Sequence, residues 1–117
     1  MKTRLSISVV LSLFLASVAF QTFAQDFSAV KTGMSRIEVR NIMGKPDQIS
    51  VSMLPLSPFS GPQEALLQYI QPGDAFEEWR YITDSKIYLV WFASTEIKPR
   101  NSWTVLSKTG YPVGTVF

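Results

Sequence analysis

The run Ile87–Phe92 constrains the fold most, because all six of its side chains are apolar or aromatic. In an extended strand, successive side chains point to opposite faces. This run therefore presents apolar groups on both faces, which is typical of a central strand that is covered on both sides. We expect the C-terminal tail and the segment 53–73 to cover the second face. The alternative is an aromatic patch that stays exposed.

The flanking sequence indicates the partners of this strand. The run 76–82, the turn residues Thr83-Asp84-Ser85 and the run 86–92 together predict a β-hairpin, and a further strand is predicted at 103–107. The tail 110–117 is expected to form an ordered edge or to wrap around the sheet.

A helix is predicted over residues 35–43. Ser35 and Glu38 have the spacing of a capping box, in which each side chain accepts a hydrogen bond from the backbone N–H of the other residue. Gly44 and Pro46 are typical of a helix end. The residues expected to form its apolar stripe are Ile37, Val39, Ile42 and Met43.

Three segments between this helix and the hairpin have weaker patterns. Residues 47–52 alternate polar and apolar side chains, which predicts a half-buried strand. Residues 53–61 contain two prolines and several large apolar groups, and we interpret them as an ordered loop or a binding loop. Pro62 suits a first helical position, so a two-turn helix is predicted to follow it, before Pro72-Gly73.

The residue inventory offers little for catalysis. The 117 residues contain no histidine and no cysteine, which removes the commonest zinc ligands, the usual nucleophile–base pairs and disulfides. Glu77 and Glu78 are adjacent in a predicted strand and point to opposite faces, so they do not form a catalytic carboxylate pair. Asp47, Asp74 and Asp84 lie in predicted turns, where capping and turn bonding are their usual role. We therefore expect a protein that is not an enzyme and binds no cofactor or metal.

The first 24 residues have the pattern of a secretory signal peptide. A cationic start is followed by an apolar stretch, 5–20, and by small residues that end at Ala24. This stretch is shorter than the roughly 20 residues of a membrane-spanning helix. Cleavage would leave residues 25–117 as one α+β domain with nine basic and nine acidic residues. That balance does not favour a nucleic-acid partner.

Four motifs resemble the SmpA/OmlA, or BamE-like, domain family: TGMS at 32–35, IMGKPD at 42–47, EWRY at 78–81 and YLVWF at 88–92. The resemblance implies two N-terminal helices packed on a three-stranded antiparallel sheet, similar to one repeat of the β-lactamase inhibitory protein. It also implies a role beside the machinery that inserts outer-membrane β-barrels. This chain lacks the lipobox cysteine and carries an additional Pro-rich loop and short helix at 53–73. The resemblance therefore favours a periplasmic relative without a lipid anchor over a core subunit.

From these features we expect an envelope module that binds a protein partner and contacts the membrane only indirectly. The alternative is a soluble periplasmic binder or inhibitor of an enzyme. The sequence leaves the oligomeric state open. The side chains predicted to contact the partner are Met53, Leu54, Leu56, Phe59, Tyr81 and Tyr88.

Export gives the first testable prediction. If residues 1–24 are a cleaved signal, N-terminal sequencing of protein purified from the periplasm should begin at Gln25. Folded protein that begins at Met1 would contradict this prediction.

Overall fold

A four-stranded antiparallel sheet with helical segments on it forms an α+β fold in the computed structural model, which describes residues 26–117. The strands follow one another in the order β1-β2-β3-β4. The predicted signal peptide, 1–24, lies outside the described residues. Residues 26–29 are helical. They are followed by helix α1 (Arg36–Met43), β1 (Gln48–Met53), a 3-10 helix (Pro62–Gln68), β2 (Ala75–Ile82), β3 (Lys86–Ala93), a short 3-10 helix (Arg100–Ser102) and β4 (Thr104–Pro112).

The predicted cap of helix α1 is confirmed. The backbone N–H of Glu38 donates to Ser35 Oγ, and the backbone N–H of Ser35 donates to Glu38 Oε1, each at 3.2 Å. Gly44 ends the helix with φ 81°, a backbone conformation that side chains with a Cβ rarely adopt. Its N–H donates to the carbonyl oxygen of Arg40 (2.8 Å). Local sequence therefore sets both ends of α1.

The predicted apolar stripe of α1 is only partly correct. Val39 and Met43 are buried and Ile42 is partly buried, but Ile37 is 73% exposed. Ile37 and Val39 are two residues apart, which places them on nearly opposite sides of a helix with 3.6 residues per turn. Only one of the two can face the sheet, so Ile37 points away from the core.

The prediction that β3 is central and covered on both faces is confirmed, because two separate core clusters form on its two faces. The cluster on the α1 side contains Val30, Val39, Met43, Trp79, Tyr81, Tyr88, Val90, Phe92 and Val105. The cluster on the other side contains Leu54, Leu66, Ile70, Phe76, Leu89, Trp91 and Ala93. Leu54, Leu66 and Ile70 come from the segment 53–73, which therefore covers the second face as predicted.

Other expectations need correction. The sheet has four strands rather than three, because residues 48–53 pair with β2 as a further strand. All six residues of β1 are exposed, so this strand is not half-buried. β1 lies at the sheet edge, and neither core cluster includes any of its residues. The segment after Pro62 is a 3-10 helix, and β4 extends to Pro112.

Adjacent leucines of the 3-10 helix test how much this covering segment stabilises the fold. Leu66 is fully buried, whereas Leu67 is 46% exposed. Leu66→Ala should lower the free energy of unfolding by about 2–5 kcal/mol, because it removes buried methyl groups and leaves a cavity. Leu67→Ala, the matched control, should change it by less than about 0.5 kcal/mol. Equal urea midpoints for the two variants would show that the 3-10 helix does not pack on the sheet.

Candidate functional site

Two adjacent glutamates of β2 are the buried charged groups of the described residues. Glu77 has no exposed surface and Glu78 is 6% exposed. As predicted, they point to opposite faces of the sheet: Glu77 makes its hydrogen bonds on the α1 side, and Glu78 makes its bonds beneath the segment 53–73. A buried carboxylate is costly unless charged or polar donors surround it. The donors around each glutamate therefore define the site.

Glu77 binds three donors from three parts of the chain. Its Oε1 accepts from the guanidinium groups of Arg36, at the start of α1, and of Arg100, in the short 3-10 helix before β4. Arg100 Nε lies 2.7 Å from this oxygen. Its Oε2 accepts from Trp79 Nε1 at 2.8 Å. Glu77 thus connects α1, the 100–102 segment and the indole of Trp79 at one point.

The protonation of Glu77 follows from this environment. Burial by itself would raise the pKa of the carboxyl group. Hydrogen bonds from Arg36, Arg100 and Trp79 outweigh burial and hold the pKa of Glu77 below its ordinary value. A carboxylate that is held ionised in this way is a poor general base near neutral pH. Its role here is to hold neighbouring groups together.

Glu78 has an equivalent set of donors on the opposite face. Its Oε1 accepts from Trp91 Nε1 and from Gln63 Nε2, each at 2.9 Å. Its Oε2 accepts from Arg80 at 3.3 Å. Gln63 belongs to the 3-10 helix, so Glu78 ties the covering segment to the sheet.

A cleft of about 510 Å³ opens beside Glu77, between α1, β1 and the 100–101 loop. Its charged lining residues are three arginines and one glutamate, a net charge of +2: Arg36, Arg40, Arg100 and Glu77. Ile37 and Ile49 supply exposed apolar groups to the same cleft. Arg40 makes no ion pair with any of residues 26–117. We call Arg36, Arg40 and Arg100 the arginine rim.

The apolar lining continues along β1. Val51 and Met53 lie on the same strand face as Ile49, because they follow it at intervals of two residues. All three are exposed, and Met53 is the most exposed of them at 68%. We call Ile37, Ile49, Val51 and Met53 the β1 apolar face. The register pairs Val51 with Glu77, which places the arginine rim beside the middle of this face.

Three of the residues predicted to contact a partner are buried. Leu54 lies in the cluster under the segment 53–73. Tyr81 is 2% exposed and donates from its hydroxyl to the carbonyl oxygen of Gly44 (2.8 Å). Burial and nearby Asp47 outweigh Arg40 and raise the pKa of Tyr81 to about 12. Tyr88 packs on the ring of Phe27, with centroids 4.6 Å apart. These three side chains are packing groups and expose at most 7% of their surface.

The other three are accessible to different degrees. Met53 and Leu56 are exposed, and Phe59 is partly buried against the cluster beneath it. Leu56 and Phe59 line a second cleft of about 460 Å³ within the Pro-rich loop, together with Leu67. The structure therefore places Met53 on the β1 apolar face and separates it from Leu56 and Phe59.

Sequence reasoning missed Ile37, Ile49, Val51 and the arginine rim. The alternating pattern predicts that Ile49 and Val51 form the buried side of a half-buried strand, and the helix pattern includes Ile37 in the apolar stripe. A helical projection would have separated Ile37 from Val39. The approach of Arg100 to Glu77 has no local signal, because 23 positions separate the two residues.

Two features are absent from residues 26–117. No group of three or more acidic side chains is placed where it could hold a metal ion. No helix among these residues has the length and apolar character needed to cross a membrane.

Comparison with known proteins gives no relative: no family model, curated protein or solved structure matches this chain.

The charge network at Glu77 predicts a specific acid sensitivity. Glu77→Gln should lower the free energy of unfolding at pH 7 by about 3 kcal/mol, because it removes the charge that pairs with two arginines. The lowered pKa means that Glu77 stabilises the fold fully above its ordinary pKa of 4.5. This contribution is lost as the pH falls through the pKa of the folded state. The variant should therefore lose less stability than the wild type on acidification.

Urea unfolding at several pH values measures this difference. Glu96→Gln is the control, since Glu96 forms an exposed pair with Lys98 (3.6 Å) and should contribute little. If the stability of Glu77→Gln falls with pH in parallel with that of the wild type, the pKa of Glu77 is not lowered by folding.

Proposed function

We propose that this protein is a non-enzymatic module of the cell envelope that holds a protein partner on the β1 apolar face. The observation that carries the proposal is the exposure of Ile37, Ile49, Val51 and Met53 on one surface beside the arginine rim. Contiguous exposed apolar groups with a polar border are typical of interaction sites.

The arrangement of the core supports this choice of surface. Both faces of β3 are covered, and the cover on each face ends before β1. An apolar strand face that the fold itself does not use is available to another molecule. The Pro-rich loop offers less, because Leu54 and Phe59 pack inward and leave Leu56 as its most exposed large apolar side chain.

The proposed location and family rest on the sequence. We propose that residues 1–24 direct export to the periplasm and that the domain is BamE-like. Its capped helix on one face of an antiparallel sheet agrees with the helix-on-sheet arrangement which that resemblance implies. In this proposal the protein assists outer-membrane protein assembly or envelope integrity without a lipid anchor of its own.

Affinity capture with matched variants tests the proposal. The tagged protein is incubated with periplasmic and outer-membrane extracts, and the bound proteins are identified. The double change Ile49→Ser with Met53→Ser should abolish capture of the partner, while the urea midpoint stays within the range of surface changes.

Two controls locate the surface. Ile97→Ser changes a fully exposed apolar residue elsewhere and should leave capture intact. Leu56→Ser tests the Pro-rich loop, and loss of capture in this variant alone would move the site to that loop. A captured protein that is an enzyme inhibited by the module would favour the inhibitor function over a role in assembly. Absence of any specific partner in either extract would contradict an interaction module.

A further inference from the structure

We propose that the partner binds by adding a strand to the outer edge of β1, and that this strand is an extended, acidic segment with alternating apolar residues. The inference rests on the proposed function, and it adds the mode of binding and the chemistry of the partner. Three independent features of the described residues support it: an unprotected sheet edge, the direction of the β1 backbone groups, and the charge beside them.

The two edges of the sheet differ in protection. Sheet edges are normally blocked by charged residues, proline, bulges or a covering segment. β4 has all four: it contains Lys108 and Pro112, its pairing with β3 shifts at a bulge, and residues 33–35 cover its start. In that cover, Val105 accepts from Gly33 and donates to Met34, each at 2.8 Å.

Between Gln48 and Met53, β1 has none of these features; Asp47, directly before it, donates to the carbonyl oxygen of Arg80 (2.8 Å), the residue that pairs with Gln48. Its sequence, QISVSM, contains no charge and no proline, and its register with β2 is continuous from Gln48 to Met53. Within residues 26–117, no segment pairs with its outer edge. A regular, uncharged strand of this kind is a template for pairing with another chain.

The backbone direction places free hydrogen-bonding groups beside the apolar face. Leu54, directly after β1, donates to the carbonyl oxygen of Asp74 (2.9 Å) and accepts from Gly73 (2.7 Å), so its backbone groups point toward the β2 side. Backbone groups alternate in direction along a strand. Counted back from Leu54 through the regular register of residues 48–53, Met53, Val51 and Ile49 therefore point theirs to the outer edge. An added strand would meet these groups and would extend the apolar face at the same time.

The charge of the arginine rim selects among possible strands. The cleft carries a net charge of +2, and Arg100 keeps about half of its side chain exposed. Acidic side chains on the added strand would lie near these guanidinium groups, whereas basic ones would be repelled. A second copy of this chain fits less well, because β1 carries no acidic residue to offer.

Selection from a displayed library of ten-residue peptides tests the proposal, with the purified full chain as bait. We expect the selected peptides to be enriched in Asp and Glu and to alternate apolar with polar residues. Val51→Pro should abolish their binding, because it removes an outward N–H. Val51→Ala, the matched control, loses apolar surface but keeps the N–H and should retain most of the binding.

Two further measurements cover the case in which Val51→Pro does not fold. N-methylation of a selected peptide at alternate backbone nitrogens should weaken its binding to the unchanged protein by about tenfold for one set of nitrogens and little for the other set. Arg40→Gln should weaken binding severalfold, and this effect should diminish at high salt.

Several outcomes would overturn the inference. A selection that yields no peptides, or peptides that are basic or have a helical pattern, would contradict an acidic added strand. Equal effects of the two N-methylation sets would contradict strand pairing. A dimer of this chain that Val51→Pro dissociates would show that a second copy occupies the edge. If Ile49→Ser with Met53→Ser abolishes capture of an envelope protein while N-methylation has no effect on peptides, the interaction module stands and strand addition fails. If neither experiment yields a ligand, the proposed function fails as well.

Discussion

The two buried carboxylates of β2 are the constraint on which the arrangement of the layers depends. A buried carboxyl group without hydrogen-bond donors is costly, so each glutamate needs donors around it for the fold to form. Glu77 accepts hydrogen bonds from Arg36 and Arg100, and Glu78 accepts one from Gln63. Each also accepts a hydrogen bond from a tryptophan indole, so neither indole N–H is left unsatisfied in the core. Satisfying two adjacent residues therefore fixes α1, the loop before β4 and the 3-10 helix against the sheet.

This arrangement also explains why β1 remains uncovered. Helix α1 and the segment 53–73 are each bonded to β2, through Glu77 and Glu78 respectively. The two apolar clusters then extend from β2 across β3, and neither reaches β1. In helix α1, Val39 and Met43 pack into the core, while Ile37 lines the cleft beside Ile49 and stays 73% exposed, so α1 borders β1 without covering it. β1 joins the sheet through backbone pairing with β2 without contributing to either cluster. Backbone hydrogen bonds therefore hold β1 in the sheet, and its apolar side chains remain free to contact another molecule.

Sequence reasoning succeeded where the determining interactions are local. The capping box of α1, its end at Gly44 and the hairpin turn at 83–85 each depend on residues within a few positions of one another. The two-sided β3 was also predictable, because six consecutive apolar residues leave no polar face. The exposure of β1 was not predictable. Ile49 and Val51 alternate with serines, and this pattern is the same whether the fold covers the apolar side or leaves it exposed. The burial of Glu77 depends on arginines 23 and 41 positions away, and no local pattern indicates them.

The arginine rim can serve the core and a partner together because of the geometry of guanidinium. Each guanidinium has five N–H donors in a fixed plane, and a carboxylate occupies only some of them. Arg100 binds Glu77 through its inner edge while about half of the side chain remains exposed. An acidic partner can therefore use the outer donors without displacing Glu77. In such a complex the guanidinium groups would lie between Glu77 and the acidic group of the partner, so the two negative charges would not face each other directly. Arg40 has no ion pair with a described residue and is the rim position at which partner recognition can change without loss of the core network.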